Sequence, residues 1–218
     1  FSDGELIDER GAPIAPSMWE ARGFGPAQQD AVRRDPFGRL LHRWVVSGCT
    51  MAFPASMRQL ILPFPTWITE PFDPMVHDRW ISLMLGGLGP VGVVDAPLVC
   101  YRIHGHQQIG MASARTRGES MLKLAVRKLT VSPEARRDFR EFQIVHLHEV
   151  HKRLVASGSL GDAALERVEA AIAHFELRRD LPSSRLGRLR PVARELLNGR
   201  YKAFSNGAPS AGVDLLVR

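Results

Sequence analysis

Near Met111 the chain changes texture, and this break constrains the fold more than any other feature. Before it, proline and glycine interrupt the sequence every few residues, and the apolar runs are short and β-branched. After it, amphipathic stretches at 119–129, 133–156 and 162–178 follow one another with few breakers. Short apolar runs between turn residues predict strands, whereas apolar residues recurring every three or four positions predict helices. The chain therefore reads as a mixed α/β part over 1–111 followed by a basic α-helical region over 112–218.

In the first part, residues 1–8 read as a strand that ends in the turn Asp8-Glu9-Arg10-Gly11. Residues 12–40 read as irregular, because Pro13, Pro16, Gly23, Gly25, Pro26 and Pro36 break them. Trp44 to Phe53 reads as a buried strand, and Ala55 to Leu62 as two helical turns before the Leu62-Pro63-Phe64-Pro65 corner. Asp78 to Leu88 has helical apolar spacing and is expected to end at Gly86, Gly87 and Gly89. Val91 to Val94 and Leu98 to Ile103 read as two strands joined across Asp95-Ala96-Pro97. In the second part, residues 181–190 read as a basic linker and Pro191 to Leu197 as a short helix.

Charge follows the same division. Residues 1–111 hold 9 Lys/Arg against 11 Asp/Glu, a balance of −2, so the other 20 against 12 give residues 112–218 +8. Such asymmetry favours contact between the second part and phosphates of nucleic acid, anionic lipid or a partner. The competing reading is a solvated, arginine-rich helical face. Nucleic acid is the least supported partner, since no recognition helix or stacking aromatics accompany the arginines. The 44% hydrophobic and 24% charged content is that of a globular chain and excludes a disordered tail or a collagen-like fibre. No stretch approaches the roughly 18 apolar residues of a membrane span. The acidic opening FSDGELIDERG does not predict a secretory leader. Cys49 and Cys100, the only cysteines, lack any CxxC or Cys/His spacing, which points to a reducing, cytoplasmic setting.

Two constellations carry candidate chemistry. Met75-Val76-His77-Asp78-Arg79-Trp80 opens a predicted helix, where backbone N–H groups favour negative charge. There Asp78 serves either as a helix cap or as a general base beside a histidine and a tryptophan. Tyr101-Arg102-Ile103-His104-Gly105-His106 runs out of a predicted strand, and His104 and His106 project to one side of an extended chain as metal ligands or as solvated loop residues. A third cluster, His146-Leu147-His148-Glu149-Val150-His151, lacks HExxH spacing and reads as a solvated face. Gly86-Gly87-Leu88-Gly89 closes a helix instead of opening one, so it is not a phosphate loop.

Taken in order, three stretches of residues 1–111 resemble the latter part of a family 2 glycosyltransferase of the bacterial rhamnosyltransferase-like kind. The first is FSDGELIDERG with Ser17-Met18-Trp19. The second is Gly48-Cys49-Thr50-Met51-Ala52-Phe53 with Leu62-Pro63-Phe64-Pro65. The third runs from His77-Asp78-Arg79-Trp80 through Gly89 to Val94 and Asp95-Ala96-Pro97-Leu98 to Tyr101-Arg102-Ile103-His104-Gly105. The resemblance implies a partial GT-A-like mixed sheet, the acceptor-side half, followed by the basic helical region. It also implies a nucleotide-diphosphate sugar donor, a saccharide or lipid-linked acceptor and a Mg2+ or Mn2+ ion at the leaving diphosphate.

On that resemblance Asp78 is the catalytic base of an inverting transfer, and His77, Arg79, Trp80, Cys49 and Thr50 bind the acceptor. Arg102 is a phosphate contact and His104 a metal ligand. The family's nucleotide-binding half, with its "SD.DD" motif, is not found before Phe1, so the chain is expected to be a fragment inactive by itself. The alternative is a non-catalytic binding or scaffolding remnant of the same fold that docks on anionic membrane or a partner protein. Either is expected in the cytoplasm, with peripheral contact at the inner face of an anionic membrane.

Overall fold

A computed structural model describes residues 1–15, 17–42, 45–69, 77–105, 131–158 and 162–217. The chain divides into two compact units, Phe1–Gly118 and Glu119–Arg218. The expected boundary at 111, the expected helix 119–129 and His106 lie outside the described residues.

The first unit is α/β, built on a small mixed sheet of three strands. Strand β1, Ser2–Ile7, is antiparallel to β2, Pro13–Ala15, and parallel to β3, Val94–Arg102. The register pairs Leu6 with Ala15 on one side and with Tyr101 on the other. Strand β3 is continuous, where the sequence predicted two strands with Asp95-Ala96-Pro97 between them. It lies at the edge of the sheet, where proline's missing N–H leaves no central ladder bond unmade.

Residues 12–40 are not irregular. They fold into β2 and three helices, α1 Met18–Arg22, α2 Pro26–Arg34 and α3 Pro36–His42. The supposed breakers sit at helix boundaries: Pro26 and Pro36 begin helices, where no N–H is needed, and Gly23 takes the left-handed conformation that closes α1. The Ser17 hydroxyl accepts the Glu20 N–H and caps α1. Asp3 Oδ1 accepts the Trp19 N–H at 3.0 Å, which ties the start of β1 to the same helix.

The buried strand expected over 44–53 is also replaced. Val45 and Val46 are buried as its composition predicted, but Gly48–Thr50 is a 3-10 turn. A second 3-10 turn, Ala55–Met57, leads into α4, Arg58–Ile61, as the sequence indicated. Helix α5, His77–Leu88, buries Trp80, Leu83 and Met84 completely. Gly86 and Gly87 lie inside this helix and do not end it. At Gly86 a Cβ would stand 3.1 Å from Leu40 Cδ1 and 3.5 Å from the Phe37 backbone nitrogen. Glycine here lets α3 and α5 approach closely.

The second unit is helical. Helix α6, Pro133–Ser157, is capped by Ser132, and α7 spans Asp162–Arg179. Ile144, Leu147, Val150 and Leu154 bury one stripe of α6, and Val168, Ala171, Ile172 and Phe175 bury one of α7. The expected basic linker is mostly helix: α8 spans Arg185–Leu197, capped by Ser184, with Pro191 inside it. Helices α9, Arg200–Phe204, and α10, Ala208–Leu216, follow and pack through Val192, Tyr201 and Ala211. No helix among the described residues is long and apolar enough to cross a membrane.

Candidate functional site

Asp78, the second residue of α5, is buried, with 8% of its surface exposed. Its Oδ1 accepts the Arg79 N–H at 2.7 Å, and its Oδ2 accepts the Gly48 N–H at 3.2 Å. A carboxylate at a helix N-terminus is favoured by the helix dipole and by such N–H donors. Burial acts the other way and is stronger, so the Asp78 pKa lies above its ordinary value. The Arg79 N–H, His77, the Gly48 N–H and Arg22 oppose that rise.

Arg22 comes from the end of α1. Its Nη1 donates to the Val45 carbonyl and the Ser47 hydroxyl, both at 3.3 Å. Burial lowers its pKa, and the fields of Tyr101, Asp78 and Cys49 counter that shift. The cluster thus joins the ends of α1 and β3, the 3-10 turn and the start of α5. Functional groups at the carboxyl ends of parallel strands are a common arrangement in α/β sheets.

His77 is exposed and covers Gly48: the place a Cβ would occupy lies 2.8 Å from His77 Nε2 and 3.7 Å from Asp78 Cβ. Glycine is required for that stacking. Cys49, an exposed free thiol, stands beside it on the same turn. The result is a buried carboxylate with an imidazole and a thiol at the surface, in the field of a half-buried guanidinium. A carboxylate so placed can orient a hydroxyl and take its proton.

Other expected site residues lie elsewhere. Trp80 is fully buried and donates its indole N–H to the Ile61 carbonyl at 3.1 Å, so it is a core residue and not an acceptor platform. Thr50 is buried too, and its hydroxyl donates to the Ser47 carbonyl at 2.9 Å, which closes the turn. Arg79 reaches the Leu41 carbonyl near the end of α3, turned away from the acceptor role assigned to it. Arg102 donates to the Asp8 and Glu9 carbonyls at 3.0 and 2.8 Å and fastens the β1–β2 turn. His104 is exposed, and among the described residues no three His, Cys, Asp or Glu side chains converge as metal ligands. These residues therefore do not by themselves fit a Mg2+ or Mn2+ site.

The sequence does not single out Arg22 or Ser47. Arg22 was hidden in the stretch read as irregular, although the Ser17 cap three residues before Glu20 was a usable helix-start signal.

In the second unit, the His146 cluster is not wholly solvated. His146 is buried and its Nδ1 meets the Phe142 carbonyl, while His148 and His151 face Glu176 and Glu169. A larger polar network surrounds His174, which is fully buried. Its Nδ1 is 2.7 Å from Glu195 Oε2, and its Nε2 is 3.0 Å from Ser205 Oγ. Glu195 can only accept, so Nδ1 carries the proton and Nε2 accepts from the Ser205 hydroxyl. The order Ser-His-Glu is that of a hydrolytic triad. However, Phe175, Tyr201 and Phe204 pack around the imidazole, and the Ser205 oxygen accepts Arg178 Nη1 at 2.6 Å. The network braces α7 against α8 and the end of α9.

The chain matches no protein-family model, no curated protein and no solved structure.

Proposed function

We propose that residues 1–111 form the acceptor-side, catalytic-base portion of an inverting glycosyltransferase with a GT-A-like fold. The observation that carries this reading is the Asp78 carboxylate, buried at the start of α5, held by the Gly48 N–H and bordered by exposed His77 and Cys49. In the proposed step the acceptor hydroxyl donates its hydrogen bond to Asp78. Its oxygen attacks the anomeric carbon of a nucleotide-diphosphate sugar from the face opposite the diphosphate. The carbon–oxygen bond to the diphosphate breaks, the hydroxyl proton passes to Asp78, and a glycoside and a nucleoside diphosphate leave. Burial that raises proton affinity suits this role, because a base is most effective when its pKa approaches the working pH. In this reading a Mg2+ or Mn2+ ion stabilises the departing diphosphate, on ligands other than the cluster described.

The test is acceptor-dependent release of nucleoside diphosphate by the full gene product, across a panel of nucleotide sugars and saccharide acceptors. Asp78→Asn is expected to cut the rate by about 10²–10⁴-fold. Release that Asp78→Asn leaves intact, or no release with any donor, overturns the proposal.

One observation favours a second reading, a non-catalytic protein of the same architecture that docks on anionic membrane. Helix α8 exposes Leu186, Leu189 and Leu197 on one face, 81%, 51% and 86% accessible. Arg185, Arg190 and Arg194 flank that face and are exposed, whereas the helix's one acidic residue, Glu195, is buried. Leucines bordered by arginines are the pattern of a helix lying in a lipid interface.

A further inference from the structure

The second unit contains a cavity of about 560 Å³ whose wall carries five arginines: Arg137, Arg140, Arg178, Arg179 and Arg188. Only two carboxylates line it, Glu134 and Asp214. The volume is within the range of small-molecule sites, roughly 300–1,000 Å³.

Asp214 is already saturated. Its Oδ1 accepts Arg140 Nη2 at 2.6 Å, and its Oδ2 accepts Arg178 Nε at 2.6 Å and the Tyr201 hydroxyl at 2.8 Å. Arg179 is paired with Glu141 and Asp180. Arg188 is different: it is 4% exposed and donates to the carbonyls of Pro182, Ser183, Asp214 and Val217. No carboxylate among the described residues meets it. Carbonyl dipoles solvate a guanidinium but leave its charge uncompensated, and a buried uncompensated charge is costly. Arg140 shares the Asp214 carboxylate with Arg178. Burial lowers its pKa, and Arg178 and Arg136 add to the effect against the pull of Asp214. The exposed Arg137 stands at the rim, one helical turn before Arg140.

We propose that this cavity binds an anion bearing phosphate groups, with Arg137 as its receiving guanidinium at the rim and the charges of Arg140 and Arg188 in the wall behind it. Phosphate suits the site better than a single carboxylate. Arginines outnumber carboxylates in the lining by five to two, and they still do with Arg179 set aside as neutralised by Glu141 and Asp180. Guanidinium forks also match phosphate oxygens two at a time. The phosphate belongs either to a free small molecule or to a lipid headgroup. The site involves none of the Asp78 cluster and stands or falls independently of the glycosyl-transfer reading.

The test is calorimetric titration of the 218-residue protein with inorganic pyrophosphate at constant ionic strength. A parallel arm measures sedimentation with vesicles containing phosphatidic acid or, at matched charge, phosphatidylserine. Arg137→Glu is the main variant and Arg137→Gln the milder one. Arg137 is exposed, so both are expected to melt at the wild-type temperature. Lys202→Glu is the control, because Lys202 is exposed on α9 and does not line the cavity. Saturable pyrophosphate binding, weakened about tenfold or more by Arg137→Glu and little by Lys202→Glu, supports the site with a soluble ligand. Preference for phosphatidic acid vesicles with the same sensitivity, in the absence of pyrophosphate binding, supports it with a headgroup. If neither probe binds, or if both charge reversals weaken binding equally, the arginines form only a diffuse field and the proposal fails.

Discussion

The Gly48 N–H donates to Asp78 Oδ2 at 3.2 Å and joins residues 30 positions apart in the chain. One bond couples the 3-10 turn to the start of α5, at a carboxylate whose pKa burial raises. The carboxyl group that holds the turn is therefore the one whose proton affinity the fold adjusts.

This coupling separates the role of Asp78 in chemistry from its role in stability. Its folded pKa lies above the ordinary 3.8, so the fold favours the protonated form relative to the unfolded chain. Its stabilising contribution is complete below the ordinary pKa and is lost as pH rises through the folded value. Asp78→Asn, which cannot ionise, is expected to keep or raise the melting temperature at pH 7 while transfer is lost. Melting curves of both forms at pH 4 and pH 7 check this. A large fall in melting temperature at pH 7 would make Asp78 a structural cap.

Gly48 leads to a second expectation. A methyl group there meets His77 Nε2 at 2.8 Å, and the imidazole is the movable partner. Gly48→Ala is expected to displace His77 from its place beside Asp78 and to lower transfer to the level of His77→Ala. Because the two changes act through one contact, the double variant is expected to be no worse than His77→Ala alone. Additive losses in a double-mutant cycle would show that Gly48 acts by another route.

Local signals identified part of this site, and tertiary packing decided the rest. The helix at 77–88 was readable from apolar spacing, and the strand at the start of the chain from its composition. Trp80 lies on the same helix as Asp78, and sequence alone did not say which of the two faces the core. The Trp80 bond to the Ile61 carbonyl settles that through a contact 19 positions away. Pro26, Pro36 and Gly23 read as breakers because punctuation residues look alike in sequence whether they interrupt a helix or begin and end one. The run at 44–53 had strand composition, but β1 already has β2 and β3 on its two sides, and the run packs Val45 and Val46 into the core without joining the sheet. In the second half, the sequence names the arginine-rich helical faces but not the carboxylates that meet them. Arg140 and Arg178 converge on Asp214, in a terminal helix the sequence reading did not identify.

The buried network of the second unit predicts a pH dependence of folding. His174 has its pKa lowered from 6.5 to about 4, chiefly by burial and further by Arg178, against the pull of Glu195 and Asp214. A histidine that stays neutral in the fold lends stability fully above pH 6.5, and that stability is lost as pH falls toward 4, where the unfolded chain binds the proton first. The shift corresponds to about 3 kcal/mol at most. His174→Gln keeps a neutral hydrogen-bonding side chain and is expected to flatten stability between pH 7 and pH 4.5. Urea midpoints of both proteins at the two pH values test this. An unchanged slope in the variant would place the acid sensitivity in other groups.

The last prediction concerns α8 and lipid. Leu186 and Leu197 are the two most exposed large apolar residues described, at 81% and 86%. Neither contributes much to folding, since surface changes away from packing contacts usually lie within about 0.5 kcal/mol. Inserted into an interface, each buried leucine is worth about 1.5–3 kcal/mol. Arg185, Arg190 and Arg194 each add about 1 kcal/mol near an anionic leaflet. The protein is therefore expected to sediment with phosphatidylserine vesicles at low salt, and to be released in part as salt shortens the screening length to about 8 Å. Leu186→Ser with Leu197→Ser is expected to weaken that binding about tenfold or more with an unchanged melting temperature. Arg190→Ser with Arg194→Ser is expected to weaken it mainly at low salt, where the arginines act. If the leucine pair binds like the wild type, the attraction is electrostatic and the helix does not enter the interface. Equal sedimentation with neutral and anionic vesicles would remove the arginines from the explanation and leave only the apolar face.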